Sequence, residues 1–264
     1  MQLQVIAHAR NGFSQKFGIP RQSREDSCIE THIIFTPAYR VREALRGIED
    51  YSHLWLLWEF HKAYPHPLPE STPKSELFRG PRHGKGEEGD EAMRREGEES
   101  WSPTVRPPRL GGNKRMGVFA TRSPFRPNPI GLTSVKLLRV EETADNGLVL
   151  VVSGADLLDG TPIYDIKPYL AFSDCHPQAQ SGFAEATQNY RLQVQIAADL
   201  LQRISQQACP WEALKEILSQ DPRPAYQHDP DRVYHLDYDD WKVDFTVDNA
   251  TVCVKNINKK HLIQ

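Results

Sequence analysis

Short alternations of apolar and polar residues dominate the first part of the chain, and this pattern is typical of β-strands. It predicts strands over residues 3–9 and 32–35. Residues 53–61 are apolar on both faces, which predicts a buried strand. Apolar residues three and four positions apart predict a helix over residues 40–49.

The alternation continues farther along the chain. It predicts strands over residues 117–121, 134–141 and 148–153, and Asp145-Asn146-Gly147 has the composition of a turn between the last two. Short strands joined by turns, with few long helices, indicate an antiparallel β-barrel or sandwich.

The pattern changes again toward the C-terminus. Residues 190–208 have helical periodicity, and residues 210–218 open with a proline at a first-turn position and predict a second helix. Strict alternation over residues 241–247, a turn, and a further alternating stretch over residues 251–255 predict a β-hairpin.

These patterns together predict an α+β, mainly β protein with a β-rich body over residues 1–172, a linker over 173–189 and a small α+β domain over 190–264. The 264 residues, 25% charged and 39% apolar, suit one large or two unequal globular domains. The longest apolar runs are five residues, against about 18 for a membrane helix. The N-terminus lacks the charge order of a secretory signal, so we expect a cytoplasmic protein without membrane segments.

Charge is unevenly distributed, although the formal net charge is only −3. Residues 101–140 hold eight basic residues and no Asp or Glu, and such a stretch attracts polyanions. Residues 85–100 hold seven acidic and three basic residues and almost nothing apolar. Eleven of the twenty prolines lie between residues 65 and 129. We therefore expect a mobile insertion over residues 66–112.

Residues 122–131 combine charge with rigidity. Three prolines within six positions fix φ and remove backbone donors, so Arg122, Arg126 and Asn128 are presented on a stiff loop. An arginine fork binds phosphate or carboxylate bidentately, and an asparagine amide can read an adenine edge. The alternative interpretation is a surface loop closed by prolines, with solvated arginines.

Three carboxylates, Asp156, Asp159 and Asp165, fall within ten positions. Asp159-Gly160 is a turn dipeptide, so Asp159 is either a turn former or a site carboxylate that holds a cation or acts as a base. A divalent metal for hydrolysis is a third interpretation. The four cysteines lie far apart, however, and no second cluster of ligands accompanies the carboxylates; we expect no metal.

Four blocks of sequence carry a resemblance to a known family. In chain order they are Pro20-Arg21-Gln22, residues 54–61, residues 117–131 and residues 159–169. With these blocks the chain resembles the TsaA-like family of bacterial TrmO enzymes, which are S-adenosylmethionine-dependent tRNA methyltransferases. The resemblance covers residues 1–172, and residues 221–226 extend it less specifically into the C-terminal domain.

The resemblance implies a single-sheet antiparallel β-barrel body, a homodimer with the cofactor near the subunit interface, and N6-methylation of threonylcarbamoyl-adenosine beside the anticodon of tRNA. The implied S-adenosylmethionine contacts are Pro20, Arg21, Gln22, His61, Lys62, Arg122, Leu132, Asp156, Leu157, Leu158 and Asp159. The acid-free stretch would bind phosphates of the anticodon arm, and the candidate substrate contacts are Lys114, Arg115, Arg126 and Asn128.

Methyl transfer of this kind is an in-line displacement in which the protein mainly positions the two reactants. The attacked nitrogen carries a carbonyl substituent and is a poor nucleophile until its proton leaves, so a base helps. Asp159 is the candidate base, with Asn128 or Tyr169 as orienting groups. A different class of function stays open, namely a non-catalytic RNA- or nucleotide-binding module that senses S-adenosylmethionine.

Overall fold

The computed structural model describes residues 2–20, 22–24, 26–62, 102–107, 114–187, 190–223, 227 and 229–260. The strands are β1 (Ala7–Arg10), β2 (Glu30–Phe35), β3 (His53–Glu59), β4 (Thr104–Val105), β5 (Met116–Gly117), β6 (Ile130–Thr143), β7 (Gly147–Ser153), β8 (Pro162–Pro168), β9 (Gln193–Gln195), β10 (Tyr234–Tyr238), β11 (Trp241–Asp248) and β12 (Thr251–Lys259). The α-helices are α1 (Ala171–Asp174), α2 (Ala198–Ser205) and α3 (Trp211–Ser219). Strands therefore outweigh helices, and the predicted mainly β class is confirmed.

Six strands form one antiparallel sheet whose pairing closes on itself in the order β1-β2-β7-β6-β3-β8. Strand β1 closes the order because Ala7 pairs with Phe35 of β2 on one side and with Ile163 of β8 on the other. Five strands each contribute a side chain that is at most 1% exposed to its core: Ile33, Leu56, Val135, Leu150 and Ile163. The predicted turn at residues 145–147 joins β6 to β7, and Gly147 adopts a φ of +65° there.

Strand β3 corrects one prediction, since it is not buried on both faces. Leu54, Leu56 and Trp58 are buried, whereas the side chains between them are only half-buried. The pairing of β3 with β8 shifts register between Leu57 and Trp58, which marks a bulge at this point.

Two further local predictions are wrong. The helix expected over residues 40–49 is two short 3₁₀ helices, Arg42–Leu45 and Ile48–Asp50, because Gly47 between them has a left-handed φ of +82°. The strand expected over residues 117–121 is mostly a 3₁₀ helix, Val118–Ala120. That turn is closed by Thr121, whose main-chain nitrogen and hydroxyl both donate to the Val118 carbonyl.

The C-terminal region forms a four-stranded sheet in the order β10-β11-β12-β9, and its β11–β12 hairpin is the predicted one. The helix expected over residues 190–208 is confirmed only in its second half, as α2. Its first half is β9, because Gln193 to Gln195 pair in parallel with β12 and this tertiary pairing overrides the local periodicity. Helix α3 matches the predicted second helix, with Pro210 just before its first residue.

The hydrophobic core of the C-terminal region reaches into the N-terminal part of the chain. Phe13, Ile29 and Leu158 belong to the same buried cluster as the helices and strands of the C-terminal sheet. The ring of Phe13 meets the ring of Tyr238 edge-on, with 5.1 Å between centroids. A Cβ atom on Gly12 would lie 2.7 Å from the Tyr238 ring, so only glycine fits this approach.

Two compact units divide the chain: Met1–Trp58 together with Leu132–Gln264, and Glu59–Gly131. The C-terminal sheet and all of the closed six-stranded sheet except Glu59 of β3 and the first two residues of β6 lie in the first unit. In the second, β4 pairs with β5. The predicted insertion over 66–112 lies outside the described residues, apart from residues 102–107. No helix in the described ranges is long and apolar enough to cross a membrane.

Candidate active site

Within the first unit, the loop after β1 forms several hydrogen bonds with the predicted cofactor stretch, Asp156 to Asp159. The Asn11 amide nitrogen Nδ2 donates to the Leu157 carbonyl over 3.0 Å, and the Asn11 main-chain nitrogen donates to Asp159 Oδ1 over 3.1 Å. The Asp159 main-chain nitrogen in turn donates to the Phe13 carbonyl over 2.9 Å. These bonds fix the course of the stretch independently of any ligand.

Asp159 is both a turn former and a carboxylate beside a cation, the two roles that the sequence left open. It forms a turn with Gly160, whose φ is +77° and whose nitrogen donates to the Ala9 carbonyl over 2.8 Å. Its carboxylate also has a cationic neighbour, since Arg10 Nη1 lies 3.2 Å from Asp159 Oδ2. About a third of the Asp159 side chain, 32%, remains exposed. Arg10 and Asn11 were not among the predicted site residues; their position at the end of β1 and directly after it was the only sequence signal.

Asp156, at the other end of the stretch, is held from inside the sheet. The Thr133 hydroxyl lies 2.7 Å from Asp156 Oδ1, and Trp58 Nε1 donates to the same hydroxyl over 2.9 Å. Thr133 and Trp58 are 4% and 6% exposed, and Asp156 is half-buried. Sequence reasoning missed Thr133 as well, because an isolated threonine in a strand carries no distinctive pattern.

Arg24, which follows the predicted contacts at residues 20–22, lies against Gly154, just before this stretch. A Cβ atom on Gly154, which has a φ of +79°, would lie 2.3 Å from the Arg24 carbonyl oxygen. The two chain segments therefore meet at van der Waals distance, two residues after Gln22 and two before Asp156. Pro20 is buried and Gln22 half-buried, while Arg21 lies outside the described residues.

The predicted leucine contacts differ in what they can offer a ligand. The side chains of Leu157 and Leu158 are buried, at 0% and 8% exposure. The Leu158 carbonyl already accepts bonds from the Thr161 nitrogen and hydroxyl, at 3.1 and 2.7 Å. Leu132, by contrast, is 57% exposed and presents an apolar side chain to a ligand.

Asp165 does not take part in this arrangement of bonds. Its Oδ1 accepts from the adjacent Ile166 nitrogen over 3.0 Å, and its Oδ2 lies 3.6 Å from Lys167 Nζ, both on its own strand β8. Within the described ranges, no group of three or more His, Cys, Asp or Glu residues is placed to hold a metal ion.

Tyr169, a candidate orienting group, lies in an aromatic cluster of the first unit. Its ring centroid is 6.0 Å from that of His53 and 5.5 Å from that of Trp55. Trp55 Nε1 donates to Asp174 Oδ2 over 2.8 Å. The hydrogen bond from the Leu170 main-chain nitrogen, and next the bond from Trp55, lower the pKa of Asp174.

In the second unit, Arg126 stabilises its own loop. Its Nη1 donates to the Thr121 carbonyl over 2.8 Å and to the Val118 carbonyl over 3.3 Å, and its guanidinium lies 5.8 Å from the centroid of the Phe119 ring. The proline-rich loop is also tied to the chain after β3, because the Phe60 nitrogen donates to the Pro129 carbonyl over 2.8 Å. The predicted rigidity of this loop thus has a specific source in Arg126.

The other predicted residues of the second unit lie nearer to solvent. Arg122, Asn128, Lys114, Arg115 and Lys62 are exposed, and His61 is half-buried. Arg115 Nη1 donates to Thr104 Oγ1 over 3.4 Å. Among the described residues, Arg122 has no counterpart to the carbonyl bonds of Arg126.

Comparisons with known proteins agree over most of the chain. The model of the tRNA-methyltransferase O N-terminal domain matches residues 8–96 and 91–175, and that of the TrmO C-terminal domain matches residues 189–260. A tRNA (adenine(37)-N6)-methyltransferase from Eikenella corrodens is 48% identical over 158 residues, which cover 60% of this chain and 87% of that protein. The protein of the same name from Escherichia coli K12 is 34% identical over 255 residues, 94% of each chain.

The structural comparison agrees with the sequence comparison. A crystal structure of TrmO from Pseudomonas aeruginosa superposes with a TM-score of 0.67 at 27% identity, covering 98% of both chains. Both family domains thus match this protein, and one relative matches over 94% of each chain. The chain therefore belongs to the tRNA-methyltransferase O family.

Proposed function

We propose that the protein is an S-adenosylmethionine-dependent methyltransferase that N6-methylates threonylcarbamoyl-adenosine next to the anticodon of tRNA. The observation that carries this proposal is the match over 94% of both chains to a relative named tRNA (adenine(37)-N6)-methyltransferase. Both domains that define the family are represented, so the match is not limited to a shared cofactor-binding module.

The residues of the first unit suit S-adenosylmethionine chemically. When bound, this cofactor supplies a methyl group on a positively charged sulfur. A half-buried carboxylate, Asp156, fixed by a buried hydroxyl, is suited to a cation. The exposed Leu132 offers apolar contact, and Gln22 offers both a donor and an acceptor.

The proposed cofactor contacts are those that the family resemblance implies. In the first unit they are Pro20, Gln22, Leu132, Asp156, Leu157, Leu158 and Asp159; in the second they are His61, Lys62 and Arg122; and Arg21 completes the set outside the described residues. The leucines at 157 and 158 would act through their main chains, because their side chains are buried.

Asp159 is the proposed base for the attacked nitrogen. Its side chain is partly exposed, so the carboxylate is accessible to a substrate. The neighbouring Arg10 donates to carboxylate oxygen Oδ2 over 3.2 Å and helps to orient the group. The bond from the Asn11 nitrogen fixes the direction of one carboxylate oxygen, and this positioning limits the entropy lost at each turnover.

The basic residues of the second unit are the proposed tRNA contacts. Lys114, Arg115 and Asn128 are exposed, and their charge or hydrogen-bonding capacity suits phosphates and base edges. Arg126 would contribute mainly by stabilising the loop, since its guanidinium already bonds two loop carbonyls. Binding through phosphates is expected to weaken steeply as salt rises.

The proposal also includes the assembly and the location of the protein. The closed six-stranded sheet would be the β-barrel body of the family, two copies would form a homodimer with the cofactor near their interface, and the protein would act in the cytoplasm, where tRNA is modified.

The proposal is tested by incubating the purified protein with S-adenosylmethionine and bulk tRNA from cells that lack this gene. The tRNA is then digested to nucleosides, and their masses are compared with a control without protein. A gain of one methyl group on threonylcarbamoyl-adenosine alone is expected. Unchanged nucleosides together with demonstrable cofactor binding would favour a sensing module instead.

A further inference from the structure

Two hydrogen bonds in series connect the interior of the closed sheet to Asp156. Trp58 Nε1 donates to Thr133 Oγ1 over 2.9 Å, and Thr133 Oγ1 lies 2.7 Å from Asp156 Oδ1. Trp58 and Thr133 are buried in strands β3 and β6, and Asp156 follows β7. The register shift in β3 falls directly before Trp58, and bulges of this kind redirect a side chain.

The direction of this chain is fixed by the chemistry of its first member. An indole N–H can only donate, so the Thr133 oxygen must accept from Trp58. The single hydroxyl hydrogen of Thr133 is then available to Asp156. An ionised carboxylate can only accept hydrogen bonds, so Asp156 is a matching acceptor for the Thr133 hydroxyl. Trp58 thus sets the orientation of the hydroxyl, and the hydroxyl sets the orientation of the carboxylate.

The remainder of the cofactor stretch is anchored separately. Asn11 donates to the Leu157 carbonyl and to Asp159, whereas the Thr133 hydroxyl donates to Asp156 from inside the sheet. Side chains alternate between the faces of a strand, and accordingly Leu132 is 57% exposed while Thr133 is 4% exposed. Thr133 therefore lies behind the predicted contacts and reaches the cofactor only through Asp156.

We infer that Thr133, oriented by Trp58, is a positioning residue that directs the Asp156 carboxylate at a positive charge of S-adenosylmethionine. The inference rests on the proposed function, because it assumes this cofactor. Two groups of the cofactor carry positive charge, the sulfonium and the α-ammonium, and the carboxylate is suited to either. A threonine that only satisfied the Trp58 indole would leave cofactor binding unchanged when its other bond is lost.

The test compares cofactor binding, measured by calorimetry on the full-length protein, in matched variants. Thr133→Val keeps the shape of the side chain and removes the hydroxyl, whereas Thr133→Ser keeps the hydroxyl. We expect Thr133→Val to weaken S-adenosylmethionine binding by about tenfold, the usual effect of one hydrogen bond to a charged group. Thr133→Ser should bind within about twofold of the wild type.

A double-mutant cycle separates positioning from a general structural effect. If Thr133 acts through Asp156, then adding Thr133→Val to Asp156→Asn causes little further loss of affinity. If the double variant loses affinity by the product of the two single-variant factors, the two residues act independently and the inference is overturned. If Thr133→Val does not fold, Trp58→Phe serves in its place: it frees the hydroxyl to rotate and should weaken binding several-fold, and unchanged binding would overturn the inference.

Three probes identify the recognised charge. S-adenosylhomocysteine lacks the sulfonium charge, and 5′-methylthioadenosine lacks both charges but keeps the ribose and adenine. If Thr133→Val lowers affinity for S-adenosylmethionine alone, the recognised charge is the sulfonium. If it lowers affinity for S-adenosylmethionine and S-adenosylhomocysteine but not for 5′-methylthioadenosine, the recognised charge is the ammonium. A loss for all three probes would overturn the inference, since the contact would then be uncharged.

Failure of the proposed function is distinguishable from failure of this inference. A wild-type protein that binds S-adenosylmethionine without methylating tRNA contradicts the proposed function, while the binding comparison still decides the role of Thr133. A wild-type protein that does not bind the cofactor contradicts both.

Discussion

The main-chain nitrogen of Asn11 donates to Oδ1 of Asp159 over 3.1 Å, although 148 positions separate the two residues. Arg10 reaches the other carboxylate oxygen, with Nη1 3.2 Å from Oδ2. The end of strand β1 therefore sets the geometry of the proposed base. A carboxylate held from two sides is a positioned group, which catalysis requires of a base.

We expect Asp159→Asn to lower kcat by a factor of roughly 100 or more, because a positioned general base contributes about 10²–10⁴ to a rate. Asparagine keeps an oxygen that can accept from the Asn11 nitrogen and can still contact the cofactor, so affinity for S-adenosylmethionine should fall much less than kcat. The measurements are methyl-transfer kinetics and cofactor titration. Asp165→Asn is the matched control, since Asp165 bonds only to neighbours on its own strand among the contacts observed. A lost cofactor affinity with an unchanged kcat would show that Asp159 is a binding group and not the base.

The two arginines of the proline-rich loop should respond differently to truncation. Arg126→Ala removes two bonds to loop carbonyls, and lysine cannot replace them because its ammonium is a single point donor. We expect both Arg126→Ala and Arg126→Lys to speed amide hydrogen exchange over residues 118–126.

Arg122→Ala is the control for that comparison. Arg122 is exposed, so its removal should leave exchange in the loop unchanged and weaken binding of the cofactor or of tRNA. Equal exchange in Arg122→Ala and Arg126→Ala would contradict the stabilising role assigned to Arg126.

Phe13 should be important for stability because it joins the N-terminal part of the chain to the C-terminal core. It is fully buried and packs against Tyr238. Phe13→Ala is expected to reduce the free energy of unfolding by about 3–5 kcal/mol, the usual cost of removing a buried phenylalanine. Phe172, which is 90% exposed, provides the matched control, and Phe172→Ala should change stability by less than about 0.5 kcal/mol. Denaturant titration measures both, and similar values for the two variants would refute the shared core.

Cys28 should react slowly with thiol reagents despite its surface position. Desolvation, and then the hydrogen bond and charge of Glu216, raise the pKa of the Cys28 thiol to about 11. At pH 8 this pKa makes the thiolate fraction of Cys28 about 100-fold smaller than that of a thiol with the ordinary pKa. A thiolate of higher pKa is the stronger nucleophile, which offsets part of this loss, so alkylation should be about tenfold slower. Because the pKa is raised, the rate should keep rising with pH beyond 10.

Glu216→Gln provides the matched variant for that experiment. It removes the negative charge beside Cys28 and should accelerate alkylation of Cys28. Cys209 should be unaffected, because its pKa is raised to about 11 by desolvation alone. A rate at Cys28 that levels off below pH 9 in the wild type would contradict the assigned pKa.

Most of the strands could be predicted from sequence because their alternation is local. The β11–β12 hairpin and the turn at residues 145–147 follow directly from alternating residues and turn composition. The misassigned elements depend on information that alternation does not carry. Gly47 interrupts a helical pattern with a left-handed φ, and β9 exists because β12 pairs with it.

The candidate site shows the same division between local and distant information. The family resemblance identified Asp156 and Asp159, whereas their partners lie in distant parts of the sequence. Thr133 lies 23 positions from Asp156, and Asn11 lies 148 positions from Asp159. Neither partner has a distinctive neighbourhood in sequence, so their roles became visible only when folding brought them to the carboxylates.

Methyl transfer to one modified base is tested most directly by following an isotopically labelled methyl group from S-adenosylmethionine into two tRNA samples. One sample carries threonylcarbamoyl-adenosine beside the anticodon, and the other is the same tRNA without that modification. We expect label on N6 of threonylcarbamoyl-adenosine in the first sample and none in the second. Label on a different nucleoside, or no label in the first sample while the protein binds the cofactor, would contradict this expectation.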